Sequence, residues 1–280
     1  MSSALTPVLL KRLVHAAESA ARAAGKQMRQ NLDRPKAVHL ATQHDVKLEL
    51  DVRCQKIITS ALQKALPEGA ILGEEGIEGN VDGTVRWVID PIDGTVNFTY
   101  GVPHACVSIA LQERTGPGST LSEAAYADGY VTRLGVVFDP FTNELWCATD
   151  SGPATLNGRR IRVAQRTRLS EAIVALGFAK GRRALNRMLP VFERLTHKVR
   201  KLRIMGAAAL STTYVASGRF DAYVESGVRL WDIAAGGLIV QRAGGTFWRR
   251  ELDKDRTYEI LVSAPQLQRP LIRLSTASNP

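Results

Sequence analysis

Asp90 and Asp93, separated by Pro91 and Ile92, are followed directly by Gly94 and Thr95 in the stretch WVIDPIDGTVNF, residues 87–98. The apolar run into the first Asp reads as a buried strand ending at Asp90, and the rest as a tight turn presenting Asp93, Gly94 and Thr95. Two other acidic features stand out: Gly73-Glu74-Glu75 after the short apolar run AIL, and Trp231-Asp232 at the start of an Ala/Gly-rich segment. Taken singly, each has a plain reading as a solvated turn, an Asp-Gly turn pair or a helix N-cap. Taken together, several carboxylates at the ends of buried elements repel one another unless a cation lies among them. All-oxygen donors suit a hard ion, and Mg²⁺ usually takes a few carboxylates plus waters and substrate phosphate oxygens. Gly94 permits close backbone approach, a helix beginning near Asp93 would aim N–H groups at an anion, and Thr95 adds a hydroxyl. Metal ligands beside an anion cradle predict phosphoryl transfer to water.

Two mechanisms fit such a transfer. An aspartyl-phosphate mechanism uses an Asp-x-Asp-x-Thr nucleophile motif near the start of the chain. Here two residues separate the carboxylates, the motif begins at position 90, and Pro91 follows the first Asp. The favoured mechanism has no covalent intermediate: metal ions activate a water in line with the phosphorus and neutralise the leaving oxygen.

The elements that must position these residues follow from periodicity. Thr6 and Pro7 predict the N-cap and first residue of a helix, with Leu10, Leu13, Val14, Ala17, Ala21 and Ala24 at helical spacing. A transit peptide is the alternative for this basic, Ala-rich start. Val46, Leu50, Ile57, Ile58, Ala61, Leu62 and Ala65 predict a second helix, stopped by Pro67 and Gly69. Strands are expected at 85–90, 106–112, 135–139 and 144–148, mostly antiparallel. The second half alternates strand and helix: AIVALGF, NRMLPVFERLTHKVRKL, a helix over 206–217, FDAYVE, a helix from Trp231-Asp232 to Gly244-Gly245, then TFW and YEILVSA. The fold class is therefore α/β with α+β character. Its two halves are 1–150, carrying most of the acidic residues, and 151–280, which completes the site.

The 280 residues, 45% hydrophobic and 23% charged, can bury a sizeable core. No apolar run reaches the length of about 18 residues that a membrane span needs. Cys54, Cys106 and Cys147 make no CxxC or zinc spacing; they read as ordinary buried thiols of a reducing, cytoplasmic compartment. The net charge of +10 is concentrated: residues 152–203 hold fourteen Lys/Arg against Glu171 and Glu193. A surface of this kind draws a phosphorylated metabolite, nucleic acid or an acidic protein. No interleaved aromatics mark it as a nucleic-acid site, and a solvated basic surface is the simpler reading.

GEE, WVIDPIDGTVNF and WDIAAGGLIVQRAGG resemble the signature segments of the inositol monophosphatase family, part of a superfamily of lithium-sensitive, Mg²⁺-dependent phosphatases that includes fructose-1,6-bisphosphatase. The resemblance runs from the first helix to EILVSAP. It implies a layered α/β/α/β/α sandwich, a homodimer and two or three Mg²⁺ ions. Glu74, Asp90 and the carbonyl of Ile92 would hold one ion, and Asp90, Asp93 and Asp232 a second. Glu74 would also orient a water on a third. Thr95 and Glu74 would activate the attacking water, with Asp51 hydrogen-bonded to the threonine. The backbone of Gly94 and Thr95 would bind phosphate, Gly206, Ala207, Ala208 and Glu225 would touch the alcohol, and Asp93 and Asp232 would also contact the substrate. The family pattern has a Lys where Leu40 stands and a Thr where Leu48 stands, a departure bearing on the third metal.

The resemblance implies an enzyme hydrolysing a small phosphomonoester, inositol 1-phosphate or a related sugar phosphate. The alternatives are 3′-phosphoadenylate, fructose 1,6-bisphosphate or histidinol phosphate as substrate, or a binding role with RNA or the transcription machinery through the basic segment.

Overall fold

The structure, a computed structural model, describes residues 5–34, 38–41, 46–115, 124–179, 181–253 and 255–276. The chain enters through helix α1 (Pro7–Asn31), started by Thr6, whose hydroxyl accepts the Leu9 N–H at 3.3 Å. Strands β1 (Val38–Ala41) and β2 (Val46–Leu48) form a small antiparallel pair, and helix α2 (Glu49–Ala65) follows. The second helix thus starts later than its apolar spacing predicts, because Leu48 is extended. The Asp51 carboxylate takes the Leu48 N–H at 2.8 Å, which fixes the first turn. Residues 42–45, at the start of that expected helix and within the altered segment, lie outside the described residues.

An eight-stranded sheet comes next. It is built from β3 (Ala70–Gly73), β4 (Gly76–Glu78), β5 (Val85–Asp93), β6 (Cys106–Arg114), β7 (Tyr130–Asp139), β8 (Glu144–Thr149), β9 (Thr155–Leu156) and β10 (Arg159–Arg160). Its order is β10-β9-β8-β7-β6-β5-β3-β4, antiparallel except where β3 runs parallel to β5. The short helix α3 (Thr95–Thr99) leaves the end of β5.

The second sheet contains β11 (Ile173–Leu176), β12 (Lys201–Arg203), β13 (Ala222–Arg229), β14 (Thr246–Asp253) and β15 (Thr257–Ser263), in the order β12-β11-β13-β15-β14. Helices α4 (Arg182–Thr196), α5 (Ala208–Ala216), α6 (Leu230–Arg242) and α7 (Pro265–Thr276) interleave with it. Two expectations change here. The helix read over NRMLPVFERLTHKVRKL begins earlier, at Arg182, and stops at Thr196; its last residues instead add β12 in parallel to the edge of β11. Helix α7 had no counterpart in the reading. Its Leu267 and Leu271 are fully buried against the second sheet.

Three hydrophobic clusters fill the four seams between five layers. Helices α1 and α2 bury Leu13, Met28, Ile58 and Leu62 against Trp87, Ile89, Leu134 and Val136 on one face of the large sheet. Helices α5 and α6 lie between the sheets, touching Val88, Ala110 and Val137 on one side and Tyr223, Ile260 and Val262 on the other. Helices α4 and α7 cover the outer face of the small sheet through Met188, Val191, Leu267 and Leu271. This is the α/β/α/β/α sandwich that the family resemblance implies.

A helix clamped between two sheets must be apolar all round and narrow, which explains the Ala/Gly-rich composition of α5 and α6. Gly135 on β7 shows how close the packing is: a Cβ there would lie 2.6 Å from the Ala235 carbonyl oxygen of α6. Among the described residues, no helix is long and apolar enough to cross a membrane.

Candidate active site

The strand β5 does not end at Asp90. It continues through Pro91 and Ile92 to Asp93 by a bulge: Asp90 pairs with Ser108 and Asp93 with Cys106, so two residues face the single Val107. In a regular strand, residues three apart point to opposite faces. The inserted residue restores the parity, and both carboxylates line one cavity. Pro91 has no N–H to lose from the ladder. The freed Ile92 N–H is taken by Asp90 Oδ1 at 3.0 Å.

Gly94 then turns the chain into α3 with φ of 90°, a left-handed conformation, and a Cβ there would lie 2.9 Å from the His104 carbonyl oxygen. The Thr95 hydroxyl donates to the Ile92 carbonyl at 2.9 Å. Phe98, fully buried, anchors the turn. Asn97 Nδ2 donates to the carbonyls of His104 at 2.9 Å and Met205 at 2.8 Å, which ties the start of α3 to the segment entering α5. Asn97 sits in the quoted motif, but sequence alone gave it no role, since both partners are backbone atoms of other segments.

Asp93 faces the N-terminus of α5. Its Oδ1 accepts the Ala208 N–H at 3.1 Å and its Oδ2 the Ala209 N–H at 2.8 Å; the Cys106 thiol lies 3.6 Å from Oδ2. Cys106 is a buried free thiol, as expected, but it touches the site. Asp232 stands in the first turn of α6, where its Oδ2 accepts the Arg229 N–H at 2.7 Å. It is the third helical residue rather than the N-cap, so one oxygen secures the helix while the side chain faces the cavity. One oxygen each from Asp90, Asp93 and Asp232 lies within 4.8 Å of the others. Glu74 joins them from the turn after β3, held by its N–H on the Ile89 carbonyl at 3.1 Å and hydrogen-bonded through its side chain to Asp90.

Burial sets the electrostatics of this group. It raises the Asp90 carboxyl well above the usual carboxylate range, and the charges of Glu74, Asp93 and Asp232 push it further in the same direction. Burial also raises Asp93, to about 6, against the opposing pull of the Ala209 and Ala208 N–H groups. Either protonation or a cation among the carboxylates relieves this repulsion. The cluster's all-oxygen donors fit a hard divalent ion and would poorly suit a soft one.

The cavity above the cluster is about 800 Å³. Ile92, Gly94, Thr95, Gly206, Ala207, Ala208 and Glu225 all line it. Glu225 is buried on β13 and accepts the Tyr223 hydroxyl. Gly177 packs so closely that a Cβ there would overlap the Glu225 carboxylate. Asp51 differs: it is buried on α2 and, among the described residues, is not one of those lining the cavity.

The basic segment is dispersed. Arg159 and Arg160 sit on an edge strand, Arg166 pairs with Asp221 and Arg168 with Glu171, while Arg183 and Arg187 reach the cavity.

Comparison with known proteins places these features in context. The profile of the inositol monophosphatase family matches residues 9–275. The chain is 39% identical over 230 residues to the Nus factor SuhB of Xylella fastidiosa, covering 81% of this chain and 78% of that protein. It is 40% identical over 245 residues to an inositol-1-monophosphatase of Rhizobium meliloti, covering 87% and 84% respectively. The crystal structure of the extragenic suppressor protein suhB from Bartonella henselae superposes with a TM-score of 0.84 at 29% identity, covering 95% of this chain and 98% of that one.

Proposed function

The chain belongs to the inositol monophosphatase family, and from that membership we propose that it is a Mg²⁺-dependent phosphomonoesterase of small phosphorylated alcohols, with inositol 1-phosphate or a related sugar phosphate as substrate. The observation that carries this reading is the convergence of Asp90, Asp93 and Asp232 at the base of a cavity also lined by Gly94 and Thr95. Glu74, Asp90, the Ile92 carbonyl, Asp93 and Asp232 would hold the ions, which when bound polarise a water and neutralise charge on the leaving oxygen.

The chain's own groups do the rest. Thr95 and Glu74 take the proton of the attacking water. The Gly94 and Thr95 N–H groups receive the phosphate, and Gly206, Ala207, Ala208 and Glu225 orient the alcohol. Asp51 is assigned the role of holding the Thr95 hydroxyl. In support, α3 packs against β2, whose last residue, Leu48, is held by Asp51.

The test is phosphate release, with and without Mg²⁺, from inositol 1-phosphate, fructose 1,6-bisphosphate, 3′-phosphoadenylate and histidinol phosphate, comparing wild type with Asp93→Asn. Selective turnover that the substitution abolishes supports the reading; release that survives it counts against the site as drawn.

A second reading draws on the relatives named Nus factor SuhB and on the basic segment: a cytoplasmic homodimer that also engages RNA or a protein of the transcription machinery. Salt-dependent retardation of structured RNA would support it. No binding at low salt would remove its RNA arm.

A further inference from the structure

The charges around the cavity are segregated. Glu74, Asp90, Asp93 and Asp232 gather where β5 ends and α6 begins, on the inner side of the small sheet. Arg183 and Arg187 come from α4, which covers the outer face of that sheet and brings its first turns to the cavity rim. Four residues apart on one helix, they leave it on the same face, with Cβ atoms about 6 Å apart.

These two guanidinium groups are poorly neutralised. Arg183 is exposed and makes no hydrogen bond or ion pair among the described residues. Arg187 lies 3.2 Å from Glu259, but the same carboxylate oxygen also serves Arg250, so one acid is shared by two cations. Arg229, also on the cavity, is already occupied with the Asp255 carbonyl and the Thr257 hydroxyl, both at 2.9 Å. Asp253 on the lining has one oxygen engaged by the Asp255 N–H at 3.0 Å. A phosphate seated at the carboxylate cluster and the start of α3 stands a layer away from α4. The cavity, near the upper end of the roughly 300–1,000 Å³ usual for small-molecule sites, has room for more than one phosphorylated ring.

We infer that Arg183 and Arg187 form a specificity subsite for a second anionic group, a phosphate or a carboxylate, borne by the same substrate whose phosphate is hydrolysed at the carboxylate cluster. The inference rests on the phosphatase reading and narrows its substrate class to dianchored metabolites. Paired guanidiniums suit such a group because their planar forks match the oxygens of either anion.

The experiment compares matched substrates: fructose 1-phosphate against fructose 1,6-bisphosphate, and glycerol 2-phosphate against 2-phosphoglycerate. Each is measured with wild type, R183A/R187A and R183K/R187K in saturating Mg²⁺. Wild type should favour the doubly anionic member of at least one pair, and that pair identifies the group as phosphate or carboxylate. The alanine double variant should lose about ten-fold of that preference through KM, with kcat little moved, and the lysine variant should recover part of it. A preference absent in wild type, or equal in wild type and the alanine variant, overturns the subsite while leaving the phosphatase reading in place. No Mg²⁺-dependent release from any of these substrates or from inositol 1-phosphate removes both.

Discussion

Asp93 at the end of the first sheet accepts the backbone N–H of Ala209 at 2.8 Å, joining residues 116 positions apart in the chain. With the Ala208 N–H at 3.1 Å on its other oxygen, the carboxylate is held at the start of α5 by both halves of the molecule. A helix N-terminus favours the ionised form of such a group, and burial opposes it.

Replacing Asp93 with Asn therefore removes the charge while keeping one acceptor for the helix. The expected result is a loss of Mg²⁺-dependent phosphate release of at least about 100-fold, with stability lowered by only about 1 kcal/mol. Steady-state kinetics and urea unfolding of the same preparation check both parts.

On the proposed function, metal and proton would compete for the same oxygens. Asp93 titrates near 6 when folded and metal-free, above its ordinary carboxylate value of 3.8. Between those values the native state binds a proton that the unfolded state has released, so this group's contribution to stability falls as pH rises from 3.8 to about 6. Asp90 is shifted in the same direction. Added Mg²⁺ should offset that loss, and its half-saturating concentration should fall as the pH is raised through about 6. Thermal melts over a grid of Mg²⁺ concentration and pH measure this; a midpoint independent of pH would contradict it.

Asn97→Ala unties α3 from the Met205 carbonyl and the His104 carbonyl together. The Gly206–Ala208 backbone then loses its brace at the cavity wall. A destabilisation of about 1–3 kcal/mol is expected, with KM rising more than kcat falls. Substrate titration of the variant separates the two effects.

Gly135→Ala tests the thin layer between the sheets. Its Cβ would meet the Ala235 carbonyl oxygen at 2.6 Å and the Ala235 Cα at 3.0 Å, so α6 must shift. A cost of about 1–3 kcal/mol is expected, from overpacking alone. Asp232 rides on the same helix, so weakened Mg²⁺ binding should accompany the lowered melting temperature.

Much of this site was legible in the sequence because its parts lie at element ends, where apolar runs give way to acids. Glu74, Asp90, Asp93 and Asp232 carry that signature, and the structure brings them to one cavity. The route of the chain between Asp90 and Asp93 was not legible. Pro91 looked like a strand terminator, whereas a bulge opposite Val107 lets the strand pass and rotates Asp93 to the side of Asp90. The helical spacing of Val46 with Leu50 hid the start of α2, because pairing with β1 and the Asp51 cap outweigh periodicity over so short a stretch. Strand β12 is likewise imposed by its neighbour β11, and its Lys-Leu-Arg sequence carries no strand signal of its own. Arg183 and Arg187 vanished into a run of basic residues, and only the packing of α4 against β13, which brings them to the cavity, distinguishes them from the other arginines of the run.

Asp232 follows Asp93 by about 140 residues. At translation rates of roughly 5–20 residues per second, the two carboxylates of β5 emerge roughly seven to thirty seconds before their partner on α6. For most of that interval a nascent chain carries Asp90 and Asp93 without the α5 N-terminus that steadies Asp93 in the folded protein. If the cluster holds an ion, the arrangement times its loading: the last acid to be synthesised decides when an ion could be enclosed, and by then the large sheet has been made while β14 and β15 of the small one are still to come.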